Sequence, residues 1–144
     1  KSRMRMPANK RTDAYVDVVE QAGLSAFVRE VEFVKPDDEK GAVVAKILDE
    51  NPDIDGIFAG DDTMAAICLN VMKQRGLSAP DDIKVVGADG ARRTMTFMPD
   101  LTTVRQDIDH IGELAAQSII ALINGDKPES NIKLPVELIE GKTA

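Results

Sequence analysis

Residues 56–76 read GIFAGDDTMAAICLNVMKQRG, and in this stretch a strand pattern runs directly into a helix pattern. The opening GIFAG predicts a short buried strand. Apolar residues then recur at intervals of three and four over 62–75, which predicts a helix ended by the glycine that follows. Asp61 and Asp62 lie at the junction, where an acid can cap the helix or bind a ligand. The stretch therefore predicts one strand–helix unit of an α/β protein, with polar groups at the end of the strand.

Strand and helix patterns alternate along the rest of the chain in the same way. Further strands are predicted at 26–34, 83–89, 101–106 and 132–140, and further helices at about 10–22, 43–48 and 108–124. Strands that start near 27, 56 and 83 are about 27–29 residues apart with a helix between each pair, as in βαβ units. The sequence thus predicts the α/β class, with a parallel sheet between helices on both faces, a three-layer sandwich.

The composition of the chain excludes several classes of protein. Its 144 residues are 43% apolar, enough for one globular domain, and 25 acids against 18 bases give a net charge of −7. That balance argues against a nucleic-acid-binding surface within these residues. No apolar run approaches the roughly 18 residues of a membrane span, and no secretion signal opens the chain. The single cysteine, Cys68, lies on an apolar helix stripe and is expected to be a buried thiol in a reducing compartment, the cytoplasm.

Polar residues follow three of the predicted strands: Asp61 with Asp62, then Asp89, then Gln106. Ligands of open parallel sheets bind beyond the carboxyl ends of the strands, so these residues predict a polar ligand site. The sequence contains no glycine-rich phosphate loop, and its only histidine, His110, falls in the first turn of a predicted helix. The three aspartates could bind magnesium, but the DxDx[TV] nucleophile motif of haloacid-dehalogenase-type phosphatases is absent.

Four stretches carry longer motifs. IFAGDDTMAAICLNVMKQRGLSAPDDIKVVGADG (57–90) combines a strand, G-D-D-x-M-A, a helix and G-L-x-x-P-x-D-I-x-V-x-G-x-D. PDLTTVRQDIDHIGELA (99–115) contains P-x-L-T-T-V-x-Q, and shorter motifs are RTDAY (11–15) and LPVELIEGKTA (134–144). Together these stretches resemble the effector-binding domain of lac-repressor-type transcription regulators, and the resemblance covers essentially the whole chain.

The resemblance implies a fold and a position within a longer protein. Regulators of this type carry an N-terminal helix-turn-helix, a hinge helix and a two-lobed core of the periplasmic-binding-protein-like type I fold, with sugar between the lobes. Residues 1–144 resemble only the C-terminal lobe, starting just after its first strand, and they do not begin with methionine. The DNA-binding domain and the N-terminal lobe are therefore expected to lie outside this chain.

The resemblance also implies a function and partners. The chain is expected to be the effector-sensing and dimerisation lobe of a sugar-responsive bacterial regulator, a repressor, whose ligand binding changes its affinity for the operator. Its expected partners are a sugar or sugar phosphate, a second copy of the chain, and operator DNA bound through the N-terminal domain. No enzyme activity, cofactor, metal or membrane partner is implied.

Four residues match ligand-binding positions of that family. Arg11 matches an arginine whose planar guanidinium binds sugar hydroxyls, and Asp89 matches an acid that accepts from two of them. Gln106 matches a glutamine that faces the cleft. Asp61 stands where the family usually has asparagine; because an ionised aspartate only accepts, the ligand must offer hydroxyl donors there. The alternative for Asp61 is a helix N-cap, although Asp62 is the more direct candidate for that role.

The same resemblance predicts a dimer. The helix at 62–75 is apolar on more than one face, and 93–101, predicted as a loop, offers a phenylalanine and two methionines. The family has its dimer interface in these two segments. The predicted interface residues are Met64, Ile67, Cys68, Val71, Met95, Phe97 and Met98. The alternative is that the other lobe, or packing within this one, covers them.

Two other functions remain open at this point. A periplasmic sugar-binding protein of an ABC transporter shares the fold, and GADG (87–90) fits its G-x-D-G pattern. LSAPDDIKVVG and PDLTTVRQD favour the transcription regulator. A magnesium-dependent phosphatase fragment is the alternative from another class.

Overall fold

The structure is a computed structural model that describes the backbone of residues 7–144 and the side chains from Asn9 onward. Helices and strands alternate over most of that range. In chain order they are α1 (Pro7–Gln21), α2 (Asp37–Glu50), β1 (Gly56–Phe58), α3 (Asp62–Gln74), β2 (Lys84–Asp89), α4 (Arg92–Phe97), β3 (Thr102–Gln106), α5 (Ile108–Ile123) and β4 (Val136–Ile139).

The strands form one sheet in the order β1-β2-β3-β4. The first three are parallel, with Ile57 beside Val85 and Gly87 beside Thr103, and β4 runs antiparallel to β3. Pro135 lies directly before β4, where its missing N–H is tolerated because β4 is an edge strand. The predicted α/β class with a mostly parallel open sheet is confirmed.

The hydrophobic core lies on one face of this sheet. There α3 packs on β2, and α2 packs on α3. Ala65, Cys68 and Met72 recur at intervals of three and four, so they share the inner face of α3 and meet Val85 of β2. The buried apolar residues of this core are Val44, Leu48, Ala59, Ala65, Cys68, Val71, Met72, Ile83, Val85 and Leu101. Cys68 is buried, as predicted.

The opposite face of the sheet is open by comparison. Phe58, Val136 and Leu138 point to it, because side chains alternate along a strand, and all three are exposed. Helix α5 contains no buried residue. Within the described residues, no helix is both long and apolar enough to cross a membrane.

Two predicted elements differ from the structure. The strand at 26–34 is wrong: this segment pairs with no described strand, and a strand exists only through hydrogen bonds to a neighbour. The loop at 93–101 is wrong in its first half, since α4 occupies it. Backbone bonds from Met95 to Ala91 and from Met98 to Thr94 form this short helix, which local sequence pattern alone did not reveal.

Candidate functional site

The carboxyl ends of β1, β2 and β3 meet at one edge of the sheet, because these strands are parallel. Asp89 ends β2 and Gln106 ends β3. Gln106 Nε2 donates to Asp89 Oδ1 at 2.7 Å, and Arg11 Nη2, from α1, donates to the same oxygen at 2.5 Å. Three of the four predicted ligand residues thus form one hydrogen-bonded group, which we call the polar cluster: Arg11, Asp89 and Gln106.

Arg11 also reaches the end of β1. Its Nη1 donates to the carbonyl oxygen of Gly60 at 2.5 Å, so one guanidinium bridges the ends of two strands. The side chains of Arg11 and Asp89 are both partly exposed. Among the described residues, none donates a hydrogen bond to Asp89 Oδ2. The polar cluster therefore presents an accepting oxygen beside guanidinium and amide donors, a combination suited to hydroxyl groups.

Asp61 occupies the place of the helix cap. Its Oδ1 accepts from the Met64 amide at 2.8 Å, the N-cap geometry for α3. The expectation that Asp62 is the cap is therefore wrong, because only Asp61 has the extended backbone from which a side chain turns back onto the first helical turn. A ligand contact through the other oxygen of Asp61 stays a prediction.

Asp62 has a different role, which the sequence reasoning missed. This side chain is only 4% exposed. Its Oδ1 accepts from Thr103 Oγ1 at 2.5 Å, and its Oδ2 accepts from the Gly90 amide at 2.9 Å. The acid therefore connects α3 with two other parts of the chain: the residue that follows Asp89 and strand β3. The signal that could have revealed it is the pair of hydroxyl residues in β3, because a buried threonine needs a partner.

The backbone turns sharply at the end of β2. Asp89 has φ of 105° and Gly90 has φ of 58°. Residues other than glycine rarely adopt positive φ values of this kind. A Cβ at Gly90 would lie 2.6 Å from the Cα of Arg105, so glycine is required by space as well as by conformation. A strained non-glycine residue at the end of a strand marks a candidate functional position.

A groove of about 490 Å³ adjoins the polar cluster at Gln106. Its walls are α5 and the segment that leads into β4. The apolar residues among them are Ile111, Leu114, Ala115, Ile132, Leu134, Pro135 and Val136. Pockets for small molecules are commonly about 300–1,000 Å³, mainly apolar, with a few polar groups that orient the ligand. The groove has this character, and Gln106 of the polar cluster is one of its lining residues.

The described residues give no metal centre. They contain no group of three or more His, Cys, Asp or Glu side chains that could hold a metal ion. The three aspartates considered for magnesium have separate partners: Asp61 caps α3, Asp62 holds Thr103 and Gly90, and Asp89 accepts from Arg11. The geometry therefore offers no support for the phosphatase alternative.

The predicted dimer residues divide into two groups. Cys68 and Val71 are part of the core of this chain and are not available to a partner, because α3 directs both side chains inward. Met64, Ile67 and Met98 are partly buried at its margin, and Met95 is partly buried within α4. Phe97 is 75% exposed at the end of α4. The dimer interface stays a prediction, and its exposed part is Phe97 of α4.

Comparison with known proteins places operon repressors among the relatives of this chain. Residues 2–144 match the family described as the periplasmic binding protein-like domain. The ribose operon repressor of Halalkalibacterium halodurans is 32% identical over 139 residues, covering 95% of this chain and 41% of the repressor. The sucrose operon repressor of Pediococcus pentosaceus is 33% identical over 146 residues, covering 100% of this chain and 44% of the repressor.

A solved structure agrees with these sequence relatives. The LacI family transcriptional regulator from Arthrobacter sp. FB24, in complex with lactose, superposes with a TM-score of 0.79 at 27% identity, over 91% of this chain and 50% of that one. The present chain spans less than half the length of the two repressors. The family resemblance and the fold class are both confirmed. The chain belongs to the periplasmic-binding-protein-like domain family, in the form found in the effector-binding domain of lac-repressor-type transcription regulators.

Proposed function

We propose that this chain is the C-terminal, effector-sensing lobe of a cytoplasmic, sugar-responsive repressor whose ligand changes its affinity for operator DNA. The observation that carries the proposal is the polar cluster, which brings Arg11, Asp89 and Gln106 together from three distant parts of the chain. The two operon repressors among the relatives support it. A DNA-binding domain outside this acidic chain would contact the operator.

The chemistry of the polar cluster suits a sugar or a sugar phosphate. Each sugar hydroxyl both donates and accepts, so Asp89 would accept from hydroxyls to which Arg11 and Gln106 donate. The guanidinium supplies several donors in a fixed plane, which favours neighbouring oxygens on a ring or on a phosphate. Asp61 would add an acceptor from the end of β1.

The alternative of a transport protein has the same fold and needs a separate argument. Periplasmic sugar-binding proteins and repressors share this architecture, so fold alone does not separate them. The relatives compared above are operon repressors, and one neighbouring regulator was solved with lactose. These relatives favour the repressor.

The test is ligand binding to the intact regulator. Ribose, sucrose, lactose and their phosphates would be screened by thermal shift, since a ligand that binds only the native state raises the melting temperature. Asp89→Ala should then weaken binding of the best sugar by about tenfold or more, because it removes an acceptor from a polar site. Operator binding without sugar should remain.

A matched control removes a similar ion pair far from the polar cluster. Asp49 accepts from Arg75 at 2.7 Å, an aspartate–arginine pair that joins α2 to the end of α3. Asp49→Ala should leave sugar affinity unchanged. Equal affinities of wild type and Asp89→Ala in calorimetry would overturn the proposed ligand site, and the absence of any sugar response would overturn the proposed function.

We also propose that α4 forms part of a two-fold dimer interface. Phe97 is 75% exposed and lies beside Met95 and Met98, which supports a partner at this surface. Phe97→Glu should shift the protein toward monomer in light scattering at high micromolar concentration. Phe33→Glu is the matched control, because Phe33 is 83% exposed and lies outside the proposed interface. Dimerisation of Phe97→Glu as strong as that of the parent would contradict this.

A further inference from the structure

Asp62 is a buried acid that the proposed ligand contacts do not use. Aspartate is rarely fully buried without partners, and here both oxygens have one. Oδ1 accepts from Thr103 Oγ1 at 2.5 Å, and Oδ2 accepts from the Gly90 amide at 2.9 Å. These bonds join the first turn of α3, the residue after β2, and β3. Three of the predicted ligand residues lie at the ends of these elements: Asp61 at the start of α3, Asp89 at the end of β2 and Gln106 at the end of β3.

The bond to Gly90 acts on the peptide group that follows Asp89. Asp89 has φ of 105°, and such conformations persist in proteins only where the surroundings over-determine them. On one side of this turn, the Asp89 carboxyl group accepts from Arg11 and Gln106. On the other side, Asp62 holds the next amide. The Asp89–Gly90 turn is therefore held on both sides by hydrogen bonds.

The surroundings of Asp62 are shaped to receive its carboxyl group. A Cβ at Gly87 would lie 2.5 Å from Asp62 Oδ1 and 3.2 Å from Leu101, so β2 carries glycine where the acid crosses it. Gly90 is equally confined, since its Cβ would meet the backbone of Arg105. Both positions therefore need glycine, because a larger residue would displace the acid or the turn.

We propose that Asp62 is a positioning residue for effector binding, which holds the Asp89–Gly90 turn in the conformation that presents Asp89 to a sugar. The proposal rests on the proposed function of Asp89, because it explains how that acid is oriented. Asp62 itself touches no ligand, since its side chain is buried and both oxygens are occupied.

Two substitutions separate the hydrogen bonds of Asp62 from its volume. Asp62→Ala leaves the Gly90 amide and the Thr103 hydroxyl without their acceptor. Asp62→Asn keeps an oxygen for the Gly90 amide, and its side-chain amide can donate to Thr103 Oγ1. Val71→Ala is the control for lost stability alone, because Val71 is in the core on α3 but takes no part in the turn.

The first experiment needs no ligand. Amide hydrogen exchange of the chain, followed by NMR, reports whether Gly90 is held. Asp62→Ala should accelerate exchange at Gly90 by about tenfold or more relative to the amides of α2, whereas Asp62→Asn restores the wild-type ratio. Val71→Ala should accelerate both together. An unchanged Gly90-to-α2 ratio in Asp62→Ala would overturn the proposal.

A milder variant covers the case in which Asp62→Ala does not fold. Thr103→Val preserves side-chain shape while leaving Asp62 with one hydrogen bond, to Gly90. This change should still raise the exchange rate of Gly90 relative to α2, by about threefold, because the acid loses half of its anchoring. No change in this variant would count against the proposal.

The second experiment measures the consequence for the site in the intact regulator. The probe is whichever of ribose, sucrose and lactose gives the largest thermal shift. Asp62→Ala should lose about tenfold in affinity, and Asp62→Asn and Val71→Ala should stay within about threefold of wild type. Wild-type affinity of Asp62→Ala, or an equal loss in Val71→Ala, would overturn the positioning role. If no sugar binds the wild type, the proposed function fails, while the exchange experiment still decides whether Asp62 holds the turn.

Discussion

Helices α3 and α5 have similarly apolar sequences but opposite surroundings. Helix α3 lies between β2 and α2, and five of its residues are buried. Helix α5 is longer, reads IDHIGELAAQSIIALI, and has none buried. Its large exposed apolar residues are Ile108, Ile111, Ile119, Ile120, Leu122 and Ile123.

The difference shows what an apolar pattern does and does not specify. Apolar residues that recur at intervals of three and four indicate a helix and mark the face that must pack against a partner. It does not say where that partner is. For α3 the partner lies within the chain, in β2 and α2, whereas the apolar face of α5 stays open toward solvent in the part of the chain that the structure describes. Equal substitutions in the two helices should therefore have unequal effects.

The largest expected effect is the loss of a core side chain from α3. Met72 is 1% exposed, so Met72→Ala leaves a cavity and should lower the free energy of unfolding by about 2–5 kcal/mol. Ile120→Ala is the counterpart in α5, where the side chain is 58% exposed. This substitution should change the free energy of unfolding by no more than about 0.5 kcal/mol. Urea unfolding of the chain measures both. Equal losses would show that α5 packs within this chain after all.

The next effect depends on pH and belongs to α3 alone. Burial raises the pKa of the Cys68 thiol from an ordinary value near 9 to about 11. As pH rises, the thiol ionises in the unfolded chain before it ionises in the folded chain. Its contribution to the free energy of unfolding is therefore fully present below pH 9 and is lost as pH rises toward 11. The loss should reach about 2–3 kcal/mol. Urea unfolding measured below pH 9 and near pH 11 should show this loss of stability in wild type and not in Cys68→Ala.

A labelling experiment sharpens the same contrast. Native Cys68 should resist iodoacetamide at neutral pH, because the thiol is buried and protonated. A cysteine placed on α5 by Ala116→Cys, in a Cys68→Ala background, should react as quickly as in the unfolded chain, since Ala116 is exposed. Rapid labelling of native Cys68 would contradict the burial of this face of α3.

The smallest effects come from two glycines and have opposite signs. A Cβ at Gly87 meets Asp62 at 2.5 Å, so Gly87→Ala should destabilise the chain by about 1–3 kcal/mol. A Cβ at Gly112 meets nothing within 4 Å, so Gly112→Ala should stabilise α5 by about 0.5–1 kcal/mol. Thermal unfolding of the two variants measures the difference. A loss of stability in Gly112→Ala would mean that α5 is covered.

The sequence by itself determined the α/β alternation, the parallel strands whose ends hold Asp89 and Gln106, and the burial of Cys68. These features depend on local periodicity and on the rule that parallel strands end at one edge. The family motifs added Arg11, which no spacing argument could have brought to Asp89 from 78 residues away. The polar cluster was therefore predictable, although its hydrogen bonds were not.

Tertiary structure decided the features that depend on a partner. The segment at 26–34 has a strand pattern without a strand, because a ladder requires a second backbone beside it. Asp61 and Asp62 are adjacent acids with the same chemistry, and the backbone at the start of α3 turns one onto the helix and the other into the core. Cys68 and Val71 are buried because α3 directs both side chains into the core of this chain. Pattern specifies which groups need partners, and only the packed chain determines which partners they find.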